Sequence, residues 1–150
     1  LRMIGWRVGW VVGPAAIMSD VELVGMANVV CQVGIAQEAV AAALTADYSE
    51  ADVAAAARTW GERCDTILDE LEPWPCVRPR GGWSLLVDTD ELGLAPAEAS
   101  QRLFERGRVA ATPMDGWGPS GGRYLRLVFS NEPVERLRGL GARFDAALGS

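Results

Sequence analysis

Met3-Ile4-Gly5-Trp6-Arg7-Val8-Gly9-Trp10-Val11-Val12-Gly13-Pro14 places one arginine between glycines, at the mouth of an apolar run that ends on Gly-Pro. This pattern predicts a turn feeding a short buried strand. Buried strands of that kind belong to mostly parallel sheets covered by helices, so the stretch points to an α/β protein. Arg7 is the residue that calls for a chemical explanation, because a guanidinium beside a buried strand is costly unless it stays wet or meets an anion. It is either a surface arginine whose stem lies along apolar neighbours or a planar fork aimed at a phosphate or carboxylate. Gly5 and Gly9 would let a ligand and the backbone approach closely.

Composition narrows the classes. A chain of 150 residues, 49% of them apolar, can bury a real core and is not a disordered segment. A formal charge of −6 argues against nucleic acid as the main partner, since phosphate binding leans on a basic surface. No apolar run reaches the roughly 18 residues of a spanning helix and no secretory signal pattern opens the chain, so no membrane association is expected. Cys31, Cys64 and Cys76 are odd in number, form no CxxC pair and have no histidine beside them anywhere in the sequence. That usage disfavours a metal site and a disulfide framework and fits the cytoplasm. The absence of histidine also removes Ser-His and Cys-His nucleophile arrangements, unless a segment outside this chain supplies the base. The 14 basic residues are all arginine, so no side chain here can form a Schiff base.

Further along, Met18 to Ala46 reads as two alanine-rich helices or one kinked helix, interrupted near Gly25 and Gly34, with Ser19 or Asp20 as the first cap. Gln32 and Gln37 are either polar positions on these helices or contacts to a cofactor or a second subunit. Ser49 opens a long helix that runs to about Glu72, where Pro73 and Pro75 stop it. Its apolar stripe includes Val53, Trp60, Cys64, Ile67 and Leu71, and Arg58, Glu62, Arg63, Asp65, Asp69 and Glu70 make its solvated face. After a loop rich in proline and glycine at 74–82 come a strand at Trp83–Asp88, a short helix closed by Gly107, a strand at Val109–Thr112, a glycine-rich loop and a strand at Tyr124–Ser130. A last helix carries Val134, Leu137, Leu140, Phe144 and Leu148 on its buried stripe. The order suggests a small α+β layer with helices on one face of a sheet.

Arg126 lies mid-strand between Leu125 and Leu127. On the two-residue period, Tyr124, Arg126 and Val128 share one face and Leu125, Leu127 and Phe129 the other. The leucine face is core, so Arg126 points either to water or into a cleft. Arg123 precedes the strand and is expected to face solvent. The loop at Gly116–Gly122 lacks the lysine and the helix start of a phosphate-binding P-loop. Trp117 within it either lines a substrate entrance or pins the loop.

Gly5 to Pro14, Gly81-Gly82-Trp83, Val109-Ala110-Ala111-Thr112-Pro113, Gly116-Trp117-Gly118 and Tyr124-Leu125-Arg126-Leu127 together resemble landmarks of the class I/II aminotransferases, pyridoxal-phosphate enzymes of fold type I. Met114 departs from the glycine common after the proline in that family. The resemblance implies the C-terminal portion of a fold type I enzyme. Residues 1–48 would end the large α/β cofactor-binding domain, and residues 49–150 would form the small α+β domain, beginning with a long linking helix. It implies that Arg7 binds the phosphate of pyridoxal 5'-phosphate and that Arg126 binds the α-carboxylate of an amino-acid substrate, the two holding opposite ends of one cofactor-substrate adduct. The Schiff-base lysine would fall two positions upstream of Leu1, outside the chain, leaving no catalytic residue within it. The activity implied is transfer of an amino group between an amino acid and a 2-oxo acid, by a cytoplasmic homodimer. Alternatives are a lyase or decarboxylase on the same fold and a non-catalytic aminotransferase-like sensor domain.

Overall fold

A computed structural model describes residues 3–149. The chain divides into two compact units, Leu1–Ala55 and Ala56–Ser150, and the boundary falls inside a continuous helix.

The first unit does not form the expected strand. Ile4–Trp6 make a single 3₁₀ turn, Arg7 closes it in the left-handed region at φ 55°, and the chain from Val8 to Pro14 is irregular. A strand needs a neighbour to receive its amide and carbonyl groups, and the described residues of this unit contain no other strand. Helix α1 (Ala15–Val29) starts directly after Pro14, which itself takes the N-cap position five residues before Ser19. Helix α2 (Gly34–Thr45) follows after a break at Val30–Val33, as Gly34 suggests. Val30 ends α1 with φ 67°, an unusual conformation for a β-branched residue. Helix α1 buries none of its residues, and Ile17, Leu23, Val24 and Met26 all stand exposed.

Helix α3 (Ser49–Glu70) crosses that boundary and ends just before Pro73, and within the second unit its stripe enters the core through Cys64 and Ile67, followed by Leu71. Strands β1 (Cys76–Val77), β2 (Ser84–Asp88), β3 (Thr112–Pro113) and β4 (Tyr124–Val128) form one antiparallel sheet in the order β1-β2-β4-β3. The β1 pairing, Cys76 opposite Val87, lies in what composition marks as a loop. A proline-rich stretch can still make a two-residue edge, where missing donors face outward. Strand β3 starts three residues later than alternation suggests, and Pro113 again sits on a sheet edge. Helix α4 (Pro96–Arg102) continues as a wider turn over Leu103–Gly107, and the residue that closes it in the left-handed region is Arg108, one beyond the expected glycine.

The single last helix resolves into α5 (Val134–Leu137) and α6 (Leu140–Leu148), separated at Gly139, which takes φ 78°. The buried stripe survives the break, with Leu137, Leu140, Phe144 and Leu148 in the core and Val134 half-buried. Glu70 explains how α6 starts: its carboxylate Oε2 accepts hydrogen bonds from the backbone N–H of Gly139 at 2.8 Å and of Gly141 at 3.4 Å. A carboxylate there meets the positive end of the helix dipole and satisfies amides that the helix cannot. The polar face of α3 is therefore engaged at several points. Glu70 caps α6, Asp65 pairs with Arg78 at 2.7 Å, and Arg63 donates to the carbonyl of Ser130.

One core joins the sheet to the helices. Leu85 and Val87 of β2, Leu125 and Leu127 of β4, Ile67 of α3, Leu103 after α4 and Phe144 of α6 belong to a single buried cluster. The helices thus cover one face of the sheet, as the alternation of β4 requires. The other face carries Ser84, Leu86 and Arg126.

Candidate functional site

The register of the sheet fixes Arg126. It stands opposite Leu86 on β2 and opposite Thr112 on β3, at the centre of β4, with Leu125 and Leu127 buried on the reverse face. Of the two environments open to it, the structure gives an aromatic one. Its guanidinium carbon lies 5.0 Å from the ring centroid of Trp83 and 4.9 Å from that of Trp117. Its Nε is buried without a hydrogen-bond partner, and among the described residues no carboxylate pairs with it.

Arg123 differs in each of these respects. It does not simply face solvent. Nη2 and Nε engage both carboxylate oxygens of buried Asp88, Nε at 3.2 Å. The antiparallel register brings them together, since Asp88 pairs with Tyr124, the residue after Arg123. The carbonyl of Arg123 also accepts from the backbone N–H of Thr89 at 2.8 Å and from its hydroxyl at 3.0 Å. The hydrogen bonds from Arg123 hold the Asp88 carboxyl below the usual aspartate range, against the opposing effect of burial. Its folded-state pKa is depressed, so the stabilisation is complete above the ordinary value of 3.8 and is lost as pH falls through the depressed value. Urea midpoints measured at pH 7 and at pH 3 should therefore separate less in Asp88→Asn than in the parent.

Trp83 and Trp117 reach Arg126 by different routes. On strict alternation Trp83 would share the core face with Leu85 and Val87. It lies just outside β2, after Gly82 at φ 86°, and its ring rests over Arg126 instead. Trp117 is carried on the loop between β3 and β4, where its backbone N–H donates to the carbonyl of Met114 at 3.0 Å. Gly121 closes that loop so tightly that an added Cβ would stand 2.1 Å from the Met114 carbonyl oxygen. Sequence reasoning gave Trp117 a role to weigh, but quoted Trp83 only as a landmark and missed its place beside Arg126. The Gly81-Gly82 pair ahead of Trp83 was the available signal, since paired glycines end an extended run.

Arg7, in the first unit, is exposed, and its Nη1 donates to the carbonyl of Ile4 at 3.3 Å. Directly after it, Val8, Gly9 and Trp10 join Gln32, Gln37 and Val40 in lining a cavity of about 330 Å³. Both glutamines thus share one cavity, although the roles open to them on sequence were wider. A phosphate fits this neighbourhood in one respect. Arg7 has no ion-pair partner among the described residues, so its charge is open to an anion. The carbonyl of pyridoxal phosphate finds no amine here, because the sequence contains no lysine. Among the described residues no three acidic, cysteine or histidine side chains converge as a metal site, and no helix is long and apolar enough to cross a membrane. Cys31, Cys64 and Cys76 are free thiols, and burial pushes that of Cys76 up to about 11.

The fold is α/β, with an antiparallel sheet roofed by helices on one face and, on the other, an arginine that has no acidic partner among the described residues. The chain belongs to the class I and II aminotransferase family, which it matches over residues 1–140. It is 33% identical over 137 residues to the arginine–pyruvate transaminase of Pseudomonas aeruginosa, covering 88% of this chain and 34% of that protein. With the aspartate/prephenate aminotransferase of Thermus thermophilus it shares 32% identity over 150 residues, covering 98% of this chain and 38% of that one. The crystal structure of Thermus thermophilus aspartate aminotransferase with maleate superposes with a TM-score of 0.83 at 30% identity, covering 97% of this chain and 38% of that one. An aromatic aminotransferase from Pyrococcus horikoshii does so with a TM-score of 0.82 at 27% identity, over 95% and 39% of the two chains. The chain therefore spans about a third of the length of the curated relatives it matches.

Proposed function

We propose that this chain is part of a pyridoxal-phosphate-dependent aminotransferase that moves an amino group between an amino acid and a 2-oxo acid. The observation that carries the reading is Arg126, a sheet arginine with no acidic partner among the described residues, in a chain of this family. Its fork would take the α-carboxylate common to both substrates in two parallel hydrogen bonds. Holding that end would orient the bond to be broken at Cα. Arg123 is not available for this task, because Asp88 occupies its donors.

Arg7 would hold the cofactor phosphate. Pyridoxal phosphate, when bound, supplies the electron sink, and the protein's part is binding and orientation. Residues 1–48 belong on this reading to the large domain and residues 49–150 to the small one, a division supported by two compact units that part within α3. We also place the enzyme in the cytoplasm as a homodimer. Three free cysteines support the reducing compartment, and the exposed apolar residues of α1 support burial against further protein.

The test uses the whole enzyme. It should carry a visible absorption band from bound cofactor and form a new amino acid from a supplied 2-oxo acid. A colourless preparation that accepts no added pyridoxal phosphate would overturn the reading. Arg7→Ala should weaken cofactor retention on dialysis by about tenfold to a hundredfold, the worth of a hydrogen bond to a charged group.

A further inference from the structure

We infer that Trp83 and Trp117 are positioning residues for Arg126, together holding its guanidinium as a cation with no internal counter-ion, ready for one carboxylate. The inference rests on the carboxylate-binding reading of Arg126 and adds two residues to it.

The first observation concerns charge. Four arginines of this unit pair with acids: Arg123 with Asp88, Arg78 with Asp65, Arg102 with Glu98 and Arg136 with Glu132. Arg126 has two indole faces at 5.0 and 4.9 Å in place of an acid. A carboxylate partner would consume the N–H donors. An aromatic face stabilises the cation through its quadrupole and leaves those donors free for a ligand. The buried Nε without a partner belongs to the same picture, since such groups are costly and persist where something other than stability retains them.

The second observation concerns the indoles. Trp83 and Trp117 are 43% and 62% exposed, so neither is there to fill the core. Each is instead presented by a backbone device. Gly82 at φ 86° precedes Trp83, and the turn from Met114 to Gly121, closed by a glycine against a carbonyl oxygen, presents Trp117. Two separate segments thus bring aromatic faces to one guanidinium. Holding it in place lowers the ordering cost that a flexible arginine would pay on binding its ligand.

The test compares alanine and phenylalanine at both positions in the whole enzyme. Trp83→Ala and Trp117→Ala should each raise KM for the amino acid and the 2-oxo acid by about tenfold, with kcat changing by about twofold or less. Trp83→Phe and Trp117→Phe should restore most of the loss, because a phenyl ring keeps a π face. Titration with propionate, an unreactive carboxylate, should change tryptophan fluorescence, and Trp117→Phe should remove much of that change. Unchanged KM in the alanine variants, beside a raised KM in Arg126→Ala, would overturn the positioning role and leave the carboxylate reading standing. Unchanged KM in Arg126→Ala would overturn the carboxylate reading itself. Equal losses in the alanine and phenylalanine variants, together with lowered melting temperatures, would show plain packing and also overturn the inference.

Discussion

Arg126→Ala is expected to raise KM for both the amino acid and the 2-oxo acid by about a hundredfold or more, while cofactor retention stays as it was. Two charge-assisted hydrogen bonds at about 1.5–3 kcal/mol each set that scale. Both substrates should suffer alike, because the α-carboxylate is the group they share. Arg126→Lys should recover only part of the loss, since an ammonium restores the charge without the planar fork. Folding should be affected much less than binding, because Arg126 makes no ion pair among the described residues and its loss removes only the contacts with the two indoles. Steady-state kinetics beside a thermal melt separate the two effects. An unchanged KM with an intact melt would remove the assigned role.

Phe144→Ala should produce the largest loss of stability, about 3–5 kcal/mol, the usual cost of truncating a fully buried aromatic. Phe144 is 0% exposed at the centre of α6 and meets Trp74 edge to face, with ring centroids 5.5 Å apart. Its removal would leave a cavity under the sheet and take away an aromatic pair as well. Phe104 provides the control. It is 63% exposed on the turn after α4, and its alanine variant should stay within about 0.5 kcal/mol of the parent. Urea unfolding of the two variants side by side decides the matter, and equal midpoints would mean that the core is misassigned.

The elements legible in the sequence were those whose pattern is local. Leu125, Leu127 and Phe129 alternate with Tyr124, Arg126 and Val128, and the burial of the first three on one face follows from that period alone. The stripe of α3 could be read in the same way from Trp60 to Leu71, although Val53, expected on it, stands exposed, and its end at Pro73 was legible too. What escaped depended on partners far away in sequence. The opening apolar run reads as a strand, yet no ladder forms among the described residues of its unit. Glu70 looks like one more charge on a solvated face until the start of α6, far along the chain, turns out to need it. Arg126 could be placed on a face by counting. Its aromatic surroundings could not, because Trp83 leaves the alternation that counting assumes.

The loop that carries Trp117 is held by main-chain atoms. The Met114 N–H donates to the carbonyl of Tyr124 at 3.0 Å, the Met114 carbonyl receives the Trp117 N–H, and Gly121 abuts that same oxygen. None of these bonds involves the thioether of Met114. Position 114 can therefore be exchanged over evolutionary time without unseating its neighbours, whereas position 121 tolerates no side chain.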